Sequence, residues 1–108
     1  MPDSTPSLTT SLDSLHYADF AAHINSKFKA YLNEATILEL ELTSVTESSP
    51  TPKQEQFVLI FRAPLSAPPH QQMFQLEHAQ LGSGLIFMVP IAKDASSVTY
   101  EAIFNRPR

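Results

Sequence analysis

The pattern of apolar and polar positions along the chain predicts strands far more often than helices. In the segments 27–32 (KFKAYL) and 36–48 (TILELELTSVTES), apolar and polar residues alternate. An alternation with a period of two sends successive side chains to opposite faces of a strand. The segment 97–105 (SVTYEAIFN) has the same period. These three segments therefore predict strands with one buried and one wet face.

Two other segments carry apolar residues without a polar break, at 57–61 and at 85–89. A short run of this kind is typical of a strand that is covered on both faces. The first run lies in EQFVLIFRAP, which we interpret as a central strand over 55–64. We expect the second run to be buried on both sides as well.

The second run belongs to the clearest local signal in the chain, a hairpin over 73–91. Both glycines of the protein, Gly82 and Gly84, lie in this stretch. Glycine adopts positive φ without steric cost, so the pair predicts the hairpin turn. Pro90 has no N–H and is expected to end the ladder, or to lie at an edge or a bulge.

One short helix is predicted ahead of the strands, from Tyr17 to His23, with Asp13 or Ser14 as its N-cap. Residues 1–11 consist largely of Pro, Ser, Thr and Asp, a composition typical of a flexible tail. We therefore predict a tail over 1–11 and a single domain over 12–108. Its fold class is mainly β, a six-stranded antiparallel small barrel or sandwich with one short N-terminal helix.

Composition and charge exclude several classes of function. The 108 residues include no cysteine, so neither a disulfide framework nor a thiolate zinc site is expected. The formal net charge of −4 comes with no basic patch, which argues against nucleic-acid binding and against a basic membrane-surface helix. No apolar run is long enough to cross a bilayer, and we expect no membrane insertion. The N-terminus has no apolar signal segment, so we expect a cytoplasmic location or assembly without a secretory signal peptide.

The residue types that carry chemistry do not form a known motif. The four histidines lack the spacing of metal ligands, and two glycines are too few for a phosphate-binding loop, so we expect no metal and no cofactor. Two facing carboxylates would be the minimum for a glycosidase. The candidates for such a pair are Glu39, Glu41, Glu77 and Glu101. Glutamates on the solvent face of strands more often provide solubility, so we expect no catalytic residue.

A protein partner or self-association is the interaction that the sequence favours. Arg62 ends an apolar strand, and an ion pair with Glu77 or Glu101 would account for it. Alternatively, Arg62 forms a recognition rim together with the proline loop, which is the segment 65–72 (LSAPPHQQ). The tail offers a second route, because its Thr, Ser and Leu content suits a strand added to the sheet edge of a neighbour. The candidate interaction residues are Leu8, Leu12, Arg62, Pro68 and Pro69.

Six segments taken in order resemble a family of small bacterial proteins of unknown function. They are SLHYADF, ELEL, FVLIFRAP, FQLEHAQLG, LIFMVPI and YEAIFN, and they cover about residues 12–105. The resemblance implies no catalytic residue. It implies a loose association with phage-tail-collar-like, microcystin-dependent proteins, and hence an accessory, assembly or fibre-related role.

We therefore expect a non-enzymatic structural or assembly module that associates through its N-terminal segment or a sheet edge. Two alternatives stay open at this point. The first is a small-ligand-binding barrel, whose pocket would be lined by Phe57, Phe61, Phe74, Phe87 and Phe104. The second is a carbohydrate-active enzyme. A cavity inside the barrel would favour the first alternative, and two carboxylates facing each other across a cleft would favour the second.

Overall fold

The structure, a computed structural model, describes residues 11–47 and 54–107, with side chains as far as Asn105. A 3-10 turn (Leu12–Ser14) and a five-residue helix, α1 (Tyr17–Ala21), precede the strands. The strands are β1 (Lys27–Tyr31), β2 (Ile37–Glu47), β3 (Gln54–Pro64), β4 (Gln72–His78), β5 (Gly82–Lys93) and β6 (Ser97–Pro107).

The six strands form a closed antiparallel barrel in the order β1-β2-β3-β6-β5-β4, and β4 pairs back onto β1. The mainly β fold is therefore confirmed, and of the two predicted architectures the barrel is the one adopted. In a closed barrel every strand has two neighbours. Among the described residues, β5 pairs with β6 from Val89 to Lys93, and Ser11 bridges to Ser83 near the start of β5. Closure therefore reduces the free sheet edge on which strand addition by a neighbour depends.

The barrel interior is built from the alternating positions that the sequence predicts. Phe28 and Ala30 of β1 point inward, and the lysines beside them point outward. The leucines of β2 and the even-numbered apolar residues of β6 also point inward. The buried set from these two strands is Leu38, Leu40, Leu42, Val98, Tyr100, Ala102 and Phe104.

The prediction that two apolar runs are covered on both faces was wrong. On β5, Ile86 and Met88 are buried, but Leu85 and Phe87 are 52% and 48% exposed. On β3, Val58 and Ile60 are only half-buried on the outer side. A closed barrel this small places one face of every strand in its core, and in the described chain no second layer covers the outer face. An apolar residue at an outward position therefore stays in contact with water.

The hairpin between β4 and β5 turns earlier than the glycines suggested. The turn residues are 79–81, and Gly82, with φ of 103°, is already the first residue of β5. Gly84 lies inside the ladder opposite Leu76. A Cβ on Gly84 would come within 2.9 Å of the backbone nitrogen of Leu12, so this glycine allows the N-terminal segment to approach β5 closely.

The register between β5 and β6 shifts between Pro90 and Ala92. A proline cannot donate to the ladder, and a bulge accommodates it without an unpaired donor. The expected irregularity at Pro90 is therefore confirmed. A second shift occurs in β2 between Leu42 and Ser44, where the hydroxyl of Thr43 donates to the carbonyl of Ile60 at 3.1 Å.

The helix α1 is shorter than predicted and has a different cap. It ends at Ala21, and its N-cap is His16 instead of Asp13 or Ser14. The backbone N–H of His16 donates to the carboxylate of Asp19 at 2.9 Å. The buried carboxylate of Glu55 on β3 accepts from the N–H of Tyr17 at 3.1 Å and lies 2.8 Å from Nδ1 of His16. A contact between residues 39 apart therefore fixes the start of this helix.

The N-terminal segment closes one end of the barrel. Leu12 is fully buried in the core, and Phe20 packs on Phe57 and Phe104 with ring centroids 5.8 Å and 5.6 Å apart. Ser11, which we assigned to the tail, forms a parallel bridge with Ser83. The first ten residues of the predicted tail lie outside the described residues, so the boundary between tail and domain stays a prediction.

Candidate interaction surface

One side of the barrel exterior carries charges of alternating sign. We call it the charged face, and it consists of Lys27, Lys29, Glu39, Glu41 and Arg62. The strand register sets Lys27 opposite Glu41, Lys29 opposite Glu39, and Glu41 opposite Arg62. The ammonium of Lys27 lies 3.9 Å from the carboxylate of Glu41. Four of the five, Lys27, Glu39, Glu41 and Arg62, line part of a surface depression of about 460 Å³.

Arg62, a predicted interaction residue, is exposed on this face. Its neighbours in the ladders are Glu41 and Thr99. Within the described residues, no ion pair joins Arg62 to Glu77 or Glu101. Its role in recognition stays a prediction.

Of the four candidate glutamates, Glu39 and Glu41 share the depression on the charged face, whereas Glu77 and Glu101 lie on β4 and β6. Lys29 lies between Glu39 and Glu77 in the ladders, because it pairs with both. Glu101 pairs with Ile60 and Val89 on other strands. Tyr31 donates its hydroxyl to Glu77 at 2.5 Å, and this bond to a carboxylate raises the pKa of Tyr31. The register therefore separates Glu39 from Glu77 with a cation instead of aligning them across a cleft.

The proline loop lies at one end of the barrel. The hydroxyl of Tyr100 donates to the carbonyl of Pro68, which ties the loop to β6. Pro69 lines a mostly apolar groove of about 280 Å³ together with Pro90 and Val98. Arg62 lines the depression on the charged face instead of this groove. The structure thus does not bring Arg62 and the two prolines into one cavity.

The phenylalanines proposed to line a ligand pocket do not do so together. Phe87 points outward, so its assignment to the interior was wrong. The other four are buried and in ring contact: Phe57 stacks on Phe104 with centroids 4.7 Å apart, and Phe74 meets Tyr100 edge-on at 5.2 Å. These four rings therefore pack in the core against other aromatic rings.

A cluster around His78 is the most organised polar arrangement in the described core. His78 ends β4 and is 5% exposed. Its ring packs against Phe28 and His23, with centroid distances of 4.6 Å and 4.9 Å. Ser26 lies 2.9 Å from Nε2 of His78. The sequence placed His78 at the core face near the turn, but it could not reveal a serine partner 52 residues away.

The hydrogen bonds of His78 determine its tautomer. Nδ1 accepts the backbone N–H groups of Gln80 at 3.0 Å and Leu81 at 3.2 Å, so this nitrogen carries no proton. The proton of the neutral ring is then on Nε2 and is donated to the Ser26 hydroxyl. That hydroxyl donates to the carbonyl of His23 at 2.5 Å.

Burial first, and the neighbouring His23 second, lower the pKa of His78. The neutral ring therefore fastens the hairpin turn to the segment before β1. A serine–base pair for nucleophilic catalysis would need the opposite proton arrangement, with Nε2 accepting the serine proton.

The other side of the barrel exterior is apolar. We call it the apolar face, and it consists of Met73, Leu85, Phe87 and Val89, together with Ile91 from the bulge between Pro90 and Ala92. Met73 lies directly opposite Phe87 in the β4–β5 ladder. The side chains of Met73, Leu85, Phe87 and Ile91 are 53%, 52%, 48% and 50% exposed. No charged residue occurs from Gly82 to Ala92.

This apolar face was missed at the sequence level. The signal was present as the uninterrupted run at 85–89, but a two-sided buried strand gives the same pattern. Leu12 is fully buried in its own chain, so a partner contact through it would require its segment to leave the barrel. Leu8 lies outside the described residues.

Two structural properties of the described part bear on function. No three histidine or acidic side chains come together there as a group able to hold a metal ion. Neither is any helix in it long and apolar enough to span a membrane.

The fold and its surfaces define a small, closed, six-stranded antiparallel barrel domain with a helical plug at one end. By sequence, the chain belongs to the family described as Domain of unknown function (DUF6916), whose profile matches residues 15–104. That match begins just after the 3-10 turn and ends in β6, so it covers the barrel and α1. No curated protein and no solved structure matches the chain.

Proposed function

We propose that this domain is a non-enzymatic assembly module that binds protein through the apolar face. The observation that carries the proposal is the set of four large apolar side chains, each about half exposed, on adjacent strands of a closed barrel. Scattered exposed apolar residues are normal on a protein surface. A contiguous group of them, especially one bordered by polar residues, is typical of a protein-binding site.

The border of the apolar face supports the proposal. Gln75 lies opposite Leu85, Glu77 follows towards the end of β4, and Glu101 lies opposite Val89. Interfaces commonly have an apolar centre and a polar rim. Backbone pairing within the barrel also holds the apolar face on rigid strands, which reduces the entropy that binding must overcome.

The family resemblance supplies a narrower version of the same proposal. That resemblance implies a loose association with phage-tail-collar-like, microcystin-dependent proteins, and we propose on this ground that the assembly is tail- or fibre-related. The donated-strand version depends on residues 1–10, which lie outside the described residues. In the closed barrel the apolar face is the better supported contact.

A photo-crosslinking experiment in the native cells tests the assembly function. A benzophenone amino acid is placed at position 87 in one variant and at position 39 in a second one. Glu39 is exposed on the charged face and is the matched control. We expect covalent protein adducts from position 87 and none from position 39.

Two results would contradict the proposal. Equal labelling from both positions would mean that contacts are random collisions. An absence of adducts at position 87, with the variant folded and expressed at the native level, would mean that no protein covers the apolar face.

A further inference from the structure

We infer that the partner of the apolar face is a second copy of this chain, which docks the same face in a two-fold symmetric dimer. This inference rests on the assembly function proposed above and names its partner. It is carried by two properties of the apolar face, its lack of charge and its area.

The lack of charge makes the apolar face complementary to itself. A charged group buried in an interface needs an opposite charge on the partner. In a two-fold dimer both partners have the same sequence, so that opposite charge has to come from a different residue of the same surface. The five residues of the apolar face carry no formal charge. A two-fold axis that passes near Phe87 therefore brings the apolar side chains of the two copies together.

The distribution of charge over the barrel favours the same arrangement. Lys27, Glu39 and Glu41 lie on β1 and β2, whereas the apolar face lies on β4 and β5. Two copies that meet through the apolar face keep these charged groups in water.

The area of the apolar face predicts a weak dimer. Four large side chains, each about half exposed, present on the order of 400 Å² of apolar surface, the size of patch that is often functional on a monomer. A standard interface takes about 800 Å² from each partner. The polar rim has to supply the remainder, so we expect a dissociation constant on the order of 10 μM.

Sedimentation velocity and light scattering of the purified full chain test the inference, from about 1 μM to about 500 μM. The native protein should change from one-chain to two-chain mass over this range. Phe87→Glu and Phe87→Lys should each stay monomeric, because they place like charges close together across the two-fold axis. An equimolar mixture of the two variants should regain the two-chain mass.

Ile24→Glu is the matched control, since Ile24 is 39% exposed and lies between α1 and β1. It should dimerise like the native chain. Thermal unfolding at low concentration checks that all variants fold. A native chain that stays monomeric throughout, or a Phe87→Glu variant that dimerises as tightly as the native chain, would overturn the inference.

The outcomes separate this inference from the function on which it rests. If position 87 cross-links to other proteins while the pure chain stays monomeric, the assembly function stands and the dimer is wrong. If position 87 gives no adduct in cells, the assembly function itself fails.

Discussion

The two sides of this barrel are built on the same backbone geometry but present opposite chemistry. On the charged face, the outward positions of β1 and β2 include Lys27, Lys29, Glu39 and Glu41, and the exposed Ile37 lies at the start of β2. On the apolar face, the equivalent outward positions of β4 and β5 include Met73, Leu85 and Phe87. The inward positions of both sides are mostly apolar, with the buried His78 at the end of β4 as an exception. The difference therefore lies in what the outer surface contacts and not in how the barrel is held together.

The charged face is explained by solubility and strand pairing alone. Opposite charges directly across a ladder contribute modestly to the stability of the sheet, and both groups stay in contact with water. The apolar face has no such explanation, because exposed apolar side chains add nothing to the core and promote association. The contrast teaches that the apolar face is the surface on which a partner should be sought.

The largest expected effect comes from the residue that supports the apolar face from inside. Leu12 packs beneath β5 at Gly84, so Leu12→Ala removes buried methyl groups under this strand. We expect a loss of about 2–5 kcal/mol in the free energy of unfolding. Urea denaturation measures it, and hydrogen exchange should show β5 loosening more than β1.

Ile103→Ala is the control for that substitution. Ile103 is 65% exposed, so its truncation should change stability by no more than about 0.5 kcal/mol. A loss of unfolding free energy for Leu12→Ala as small as that for Ile103→Ala would mean that Leu12 does not support the barrel. An equal loss of protection in β1 and β5 would mean that the support is not specific to the apolar side.

A smaller effect is expected from His78, which fastens the hairpin of the apolar side. His78→Ala leaves the N–H groups of Gln80 and Leu81 without their acceptor, and we expect a cost of about 1–3 kcal/mol. The pKa of His78 is lowered in the folded state, so the unfolded chain binds more protons in acid. Its contribution is therefore fully present above the unfolded pKa of 6.5 and is lost as pH falls from there towards the folded pKa.

Denaturation midpoints between about pH 8 and pH 5 measure this dependence. His70→Gln is the control, because His70 is exposed in the loop before β4. It should keep the native pH profile, whereas His78→Gln should flatten the profile below pH 6.5. In acid the amides of Gln80 and Leu81 should lose protection before those of β2. A profile that is unchanged by His78→Gln would show that another group causes the pH dependence.

The smallest effect is expected on the charged face. Lys27 and Glu41 lie 3.9 Å apart with Lys27 more than half exposed. We expect Glu41→Gln to change stability by no more than about 0.5 kcal/mol and the change to shrink in salt. A double-mutant cycle with Lys27→Met isolates the pair. A coupling energy between Lys27 and Glu41 well above 1 kcal/mol would mean that the charged face does more than keep the protein soluble, and the contrast with the apolar face would no longer hold.

Much of the fold could be predicted because barrel strands obey a period of two. The inward residues of β1, β2 and β6 follow from alternation alone, and Pro90 marked an irregularity that the structure contains. The hairpin was also placed correctly, although its turn lies before Gly82. Both glycines were assigned to the turn because a sequence shows where a glycine is but not which property of glycine the structure uses there. Gly82 serves a positive φ, whereas Gly84 makes room for Leu12.

The candidate site was much less predictable. Arg62 and the proline pair were singled out because they interrupt local patterns, and the barrel places them in separate depressions. The polar cluster of His78 joins residues that are far apart in sequence, so no local pattern indicates it. The apolar face looked like a buried strand, because the residues that cover a strand come from elsewhere in the fold.

By itself, the sequence determined which residues alternate, and therefore which side chains are able to share a core. It also determined that the chain carries no motif for metal or phosphate. Only the tertiary structure decided that the sheet closes into a barrel, that Leu12 belongs to the core, and that Phe87 faces water. The physical reason is that alternation is a property of one strand, whereas burial depends on what lies against it. The described chain leaves about half of the Phe87 surface uncovered, and we propose that a second copy of the chain covers it.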